Sequence, residues 1–276
     1  MRCTVRTPGG GLLAVEDRGD PAGRPVLVHH GIPSSRKAAF FGPWVQDAAD
    51  LGLRLISYDR PGYGDSSAQP GRAVADTAAD VRAICAELGI DRLATWGFSG
   101  GGAHALACAS LLPDLVTAAA SLAGAAPFDA EGLDWFAGQH RDQIDETRLY
   151  LTDEAAARRQ MDEDRKDYLV ASAGEAAGAG FYAFTMSCAG AGLAPGIRGW
   201  WDDRSMQLRP WAFDCADIAV PVLLMNGRQD ILVPQSHGEW LAKRIPGAET
   251  RWSDDGHAKL ARDRVPEVHA WLSERI

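Results

Sequence analysis

Between an apolar run and an alanine-rich helical pattern the chain reads Trp96-Gly97-Phe98-Ser99-Gly100-Gly101-Gly102. A Gly-x-Ser-x-Gly pattern in that setting predicts a sharp turn from strand into helix with Ser99 at its apex. The setting carries the weight, because 30 glycines in 276 residues make the bare pentapeptide a frequent chance match. Glycines at 97 and 101 let strand and helix backbones pass close together, so the turn can hold Ser99 strained with its hydroxyl outward. A serine in an ordinary glycine-rich turn needs neither.

A serine hydroxyl is a poor nucleophile until a base takes its proton and a third group orients that base. Both partners follow in the sequence. Val220 to Met225 reads as a short buried strand, and Asn226-Gly227-Arg228-Gln229-Asp230 places Asp230 on the loop past its carboxyl end. The plainer alternative for Asp230 is a turn-forming aspartate. Glu249 to Ser253 reads as another strand, Asp254-Asp255-Gly256-His257 as a loop, and Val265 to Ile276 as a terminal helix. That puts His257 on a strand-to-helix loop near the end of the sequence. The chain order is Ser99, Asp230, His257.

That order, with the Ser99 turn, resembles the α/β-hydrolase family over nearly the whole chain. Two further segments carry the likeness: Val26-Leu27-Val28-His29-His30-Gly31-Ile32-Pro33 after the third expected strand, and Tyr58-Asp59-Arg60-Pro61-Gly62-Tyr63-Gly64-Asp65-Ser66 after the fourth. The resemblance implies that the His-Gly loop lends a backbone N–H to an oxyanion hole and that the Asp59 to Ser66 turn packs beside it. The implied donors are the amides of Ile32 and Gly100; Pro33 has no N–H and cannot serve. Acyl transfer demands such donors in any case, since removing one typically costs about 10²–10³ in rate. The implied activity is hydrolysis by Ser99 as nucleophile, His257 as base and then acid, and Asp230 as its orienting group. An ester or related small carboxylic derivative is the expected substrate, on family frequency. Aminopeptidase-like, lactone and carbon–carbon bond hydrolases share the same residues, and a small-molecule receptor that has lost turnover is the alternative from another class. Serine at 99 argues against relatives with an aspartate nucleophile. Gly100 is smaller than the residue usual after the nucleophile in peroxidase-like and aminopeptidase relatives, which leaves that wall open.

From Pro25 to Leu122, strand-like runs alternate with helical ones, which implies a mostly parallel sheet with helices on both faces. An antiparallel hairpin, Thr4–Thr7 with Leu12–Asp17 around Gly9-Gly10-Gly11, leads in. After Ala126-Pro127 the alternation stops, and several charged, alanine-rich helices run to about Phe213 before it resumes. The expected organisation is a core of residues 1–126 and 214–276 with an inserted helical cap over 127–213. Ligands of open α/β sheets bind beyond the carboxyl ends of the strands, which such a cap would roof. The cap holds Trp135, Phe136, Phe181, Tyr182, Phe184, Trp200, Trp201 and Trp211. Aromatics at this density more often build a cap's own core than a ligand box, although some should face the nucleophile.

The formal charge is −9, and 15 acidic against 8 basic residues between Pro127 and Ser205 account for −7 of it. Such a surface disfavours nucleic acid and anionic membrane, and dispersed acids on helices usually form a solvated face. No apolar stretch is long enough to span a bilayer, and Met1 to Pro8 has no signal-like apolar core, so a cytoplasmic protein acting on a small molecule is expected. Five cysteines without a C-x-x-C pair argue against a disulfide framework or zinc site. Neither H-E-x-x-H nor a G-x-G-x-x-G with its acidic partner occurs, so no metal or dinucleotide cofactor is implied.

The other histidines fit the base role less well. His30 suits hydrogen bonding within the His-Gly loop, and His29 suits packing beside it. His104 sits about one and a half turns into the helix behind Ser99 and points away from it. His269 belongs to the terminal helix, and His140 and His237 have no recognisable partner. Asp254 and Asp255 rival Asp230 as the acid, but adjacency in a tight turn directs such carboxylates to local backbone amides.

Overall fold

The structure of the chain is a computed structural model that describes residues 1–175 and 180–276. Eight strands form one sheet: β1 (Arg2–Arg6), β2 (Leu12–Arg18), β3 (Arg24–His29), β4 (Leu53–Tyr58), β5 (Leu93–Phe98), β6 (Val116–Leu122), β7 (Val222–Gly227) and β8 (Glu249–Ser253). Their spatial order is β1-β2-β4-β3-β5-β6-β7-β8. The β1–β2 and β2–β4 pairs are antiparallel, and every pair from β4 through β3 to β8 is parallel. The leading hairpin and the mostly parallel sheet are as the sequence implied.

Alternation within the strands shows why helices must cover both faces. Val26 and Val28 join one core, together with Trp44 and Ala48 of α1 (Gly42–Asp50) and Val265, Val268 and Trp271 of α9 (His257–Ser273). Leu27, between them, points to the opposite core with Val81 and Ile84 of α2 (Thr77–Leu88) and Cys108 of α3 (Gly100–Leu111). Along β7, Leu223 and Met225 face the first side, while Leu224 packs with Leu106 of α3 and Leu241 of α8 (Gln235–Arg244). A parallel strand buried on both faces reads as a continuous apolar run, as these do.

The terminal helix differs from expectation. It begins at His257, not Val265, and runs through Pro266. Proline lacks the N–H that would bond the carbonyl of Arg262 four residues back. Trp44 Nε1 donates to that oxygen at 3.3 Å, so the helix crosses its proline with the freed acceptor satisfied.

Between β6 and β7 lie α4 (Arg141–Thr152), α5 (Glu154–Glu175), α6 (Phe181–Leu193) and α7 (Arg198–Gln207). The segment expected as a cap, 127–213, includes residues 176–179, which lie outside the described residues. Among the described residues no helix is long and apolar enough to cross a membrane.

Candidate active site

Ser99 occupies the single-residue turn between β5 and α3, with φ 54° and ψ −124°. A non-glycine residue at positive φ costs on the order of 1–3 kcal/mol, and the surroundings must hold it there. They do so through the flanking glycines. A Cβ on Gly97 would stand 2.8 Å from Gly102 N and collide with the carbonyl of Gly101, while one on Gly101 would stand 2.8 Å from His30 O. The Ser99 amide donates to Leu122 O at 2.8 Å, which pins the turn to β6.

Asp230 follows β7 and His257 follows β8, so both stand at the carboxyl end of the sheet near the Ser99 turn. His257 Nδ1 lies 2.6 Å from Asp230 Oδ2, and Asp230 Oδ1 accepts the amides of Leu232 and Val233, each at 2.9 Å. The Asp230 side chain is fully buried. With its lone pairs occupied in this way the carboxylate has one orientation, and Nδ1 must carry the hydrogen, which leaves Nε2 as the free base nitrogen. The Phe98 ring packs against the imidazole at 4.7 Å between centroids.

The rival acids are engaged elsewhere. Asp255 pairs with Lys259 and, at 2.9 Å, with Arg264. Hydrogen bonding to Lys259 first, then Arg264, draws its carboxyl down to about 2. Asp254 meets Arg228 at 3.1 Å. The expected local backbone amides are not their partners, because basic side chains of α9 and the β7 loop reach them first.

Five of the other six histidines have hydrogen-bond partners elsewhere. His104 Nδ1 meets Thr77 Oγ1 at 2.6 Å behind the site. His237 accepts the Ala126 amide on Nδ1 and donates from Nε2 to Trp135 O, and burial brings its pKa down to about 4. His269 faces Asp47 at 2.8 Å, and His140 caps α4. His30 hydrogen-bonds Gly31 O at 2.8 Å and accepts the Arg60 amide at 3.2 Å; burial beside Arg60 holds it well below the usual histidine range.

Arg60, which sequence reasoning passed over, organises the His-Gly loop. Its guanidinium donates to the carbonyls of His30 and Gly31 and is itself held by Asp203 of α7 at 2.6 Å, with both side chains buried. The amides of Ile32 and Gly100 have no protein acceptor among the described residues, and both residues line the cavity that Ser99 and His257 also line.

That cavity is about 430 Å³, within the usual size for small-ligand sites. Of the eight aromatics singled out above, Trp135, Phe181, Phe184 and Trp200 reach it, and Tyr168 of α5 lines it as well. Trp201 and Trp211 pack in separate apolar clusters, and Tyr182 is exposed. A polar wall from α4 and α7 completes it, including Gln143, Glu146, Arg204 and Gln207. The wall after Ser99 is not open as expected: a Cβ on Gly100 would lie 2.6 Å from Ile32 Cγ1 and 3.1 Å from Gln207 Nε2. The absent side chain is replaced by two others, one of them from a helix about a hundred residues on, which no local pattern could disclose.

Comparison with known proteins agrees with this architecture. Residues 24–260 match the model of the alpha/beta hydrolase fold family. A non-heme chloroperoxidase from Streptomyces lividans is 30% identical, with 96% of this chain and 95% of that protein covered. Among solved structures, an esterase from Rhodococcus sp. ECU1013 superposes with a TM-score of 0.72 at 22% identity, covering 100% of this chain and 99% of that one. An enol-lactonase from Burkholderia xenovorans LB400 superposes at 0.71 and 18% identity, covering 98% of this chain and 100% of that one.

Proposed function

Starting from a chain that belongs to the α/β-hydrolase family, we propose that it is a serine hydrolase acting on esters or related small carboxylic derivatives through an acyl-enzyme. The observation that carries the reading is the Asp230–His257 pair, whose free Nε2 shares a cavity with the strained Ser99 and with two unengaged amides. The names of the Rhodococcus esterase and the Burkholderia enol-lactonase support an ester or lactone carbonyl as the target.

In the proposed reaction His257 Nε2 takes the Ser99 proton as Oγ bonds to the substrate carbonyl carbon. The former carbonyl oxygen becomes an oxyanion and accepts from Gly100 and Ile32. His257 then gives its proton to the departing alkoxide, which leaves as alcohol. Water, deprotonated by the same nitrogen, attacks the acyl-serine, and the carboxylic acid departs as Ser99 regains its proton. Asp230 stabilises the imidazolium in both halves. The segment 127–213 serves as a cap whose aromatics shield the acyl group from bulk water.

Labelling with a fluorophosphonate, followed by peptide mapping, is the deciding experiment. Modification at Ser99 that Ser99→Ala and His257→Ala abolish is expected. An unlabelled Ser99 would indicate a binding protein on this fold. A screen over acyl lengths, with alkyl esters, lactones and amides in parallel, then identifies the bond; ester or lactone turnover is expected above amide turnover.

A further inference from the structure

Ile32, Gly100 and Gln207 of α7 line the same cavity as Ser99, and the Gln207 carboxamide lies close to the Gly100 backbone. We infer that Gln207 is a third donor to the oxyanion and that Arg204 is the positioning residue that aims it. The inference rests on the reading of Ser99 as an acyl-transfer nucleophile.

The placement follows from what Gly100 lacks. Gln207 Nε2 stands 3.1 Å from where a Cβ on Gly100 would be. Covalent geometry then puts Nε2 within roughly 5.6 Å of the Gly100 amide nitrogen, so that one oxygen can accept from both at ordinary length. A Cβ at position 100 would collide with the Ile32 side chain and press on Gln207 Nε2, so the glycine after Ser99, Ile32 and the glutamine of α7 belong to one arrangement.

Orientation follows from charge. Arg204 Nη1 donates to Gln207 Oε1 at 3.4 Å, which turns the carbonyl end toward the guanidinium and the NH₂ end toward Gly100. Gln207 Nε2 has no protein acceptor among the described residues, although its side chain lines the cavity. A guanidinium on the amide oxygen also polarises the amide and strengthens its N–H donors. Arg204 is itself held by Thr147 Oγ1 at 3.3 Å and Glu146 at 3.4 Å.

Rigidity comes from the start of α7. Gly199 N donates to Gly62 O at 3.2 Å, and a Cβ on Gly62 would stand 2.8 Å from Gly199 Cα. One turn further on, Asp203 grips Arg60, which in turn holds the His30 and Gly31 carbonyls. The helix that presents Gln207 is therefore joined to the loop that presents Ile32 through one buried ion pair. A donor fixed before reaction stabilises developing charge without reorganisation, and that is what an oxyanion site requires.

The test is steady-state kinetics of Gln207→Leu and Gln207→Asn at constant pH, with fluorophosphonate labelling rates and melting curves in parallel. Leucine keeps the bulk without the donor, and asparagine keeps the donor but falls a methylene short. We expect kcat to fall about 10–100-fold in both with KM held within about threefold, and labelling of Ser99 to slow in step, because the phosphonyl oxygen occupies the same place. Arg204→Met is expected to lower kcat in the same direction but to add almost nothing in a Gln207→Leu background. Wild-type kcat in folded Gln207 variants, a change confined to KM, or additive effects of Arg204 and Gln207 would overturn the inference while the nucleophile reading stood. Absence of Ser99 labelling in the wild-type protein would instead remove that reading and this inference together.

Discussion

Asp230 divides its carboxylate between two tasks: Oδ1 takes the amides of Leu232 and Val233, and Oδ2 meets His257 Nδ1 at 2.6 Å. The first set of bonds makes the second directional, since a carboxylate held at one oxygen cannot swing to follow the imidazole. The hydrogen on Nδ1 is thereby assigned, and Nε2 is left to act as base.

If these residues act as a unit with Ser99, their losses will not add. Ser99→Ala and His257→Ala are each expected to reduce turnover by several orders of magnitude, and the double variant by little more. Initial rates on one activated ester measure this. Additive losses would dissolve the unit.

Asp230→Asn is expected to fold, favour the wrong imidazole tautomer and lose on the order of 10⁴ in kcat. Asp255 and Asp254 answer to Lys259, Arg264 and Arg228, so Asp254→Asn and Asp255→Asn should stay within about tenfold. Comparison of the three variants on one substrate settles which acid serves His257. An inactive, folded Asp255→Asn with a competent Asp230→Asn would reverse the assignment.

The turn that carries Ser99 tolerates no side chain at Gly97, where a Cβ would stand 2.8 Å from Gly102 N, with the Gly101 carbonyl closer still. Gly97→Ala is expected to cost more than the ~1–3 kcal/mol of ordinary overpacking, because backbone has to move. Gly42→Ala, where a Cβ meets nothing within 4 Å, serves as the matched change and should be neutral. Urea midpoints for both report the contrast; a Gly97→Ala protein as stable and active as wild type would mean that the turn is looser than described.

Four buried histidines make stability depend on pH. Burial, reinforced by Arg60, holds His29, His30 and His104 well below the ordinary histidine range, and burial brings His237 down to about 4. The unfolded chain binds these protons near pH ~6.5, and the folded chain excludes them. Stability is therefore full above that value and declines as pH falls toward 4, with His237 alone contributing on the order of 3 kcal/mol to the loss. Urea midpoints at pH 7.5, 6 and 5 should descend in that order; level or rising midpoints would contradict the sign.

The elements around the site were legible in the sequence because each has a local cause. Periodic apolar runs mark the strands, glycines at 97 and 101 mark the Ser99 turn, and the loops after β7 and β8 place Asp230 and His257 at one edge of a parallel sheet. Local causes also misled. The terminal helix was expected from Val265 but begins at His257 and crosses Pro266, where Trp44, 222 positions earlier, satisfies the carbonyl that the proline frees. Asp254 and Asp255 read as turn carboxylates, although α9 and the β7 loop bring cations to them. The wall at Gly100 and the Arg60–Asp203 bond had no sequence signal, because each depends on α7 crossing back over the His-Gly loop. Propensity and hydrogen-bonding patterns act within a few residues and are written in the chain; which side chain fills a space left by a distant glycine is decided only when packed elements meet.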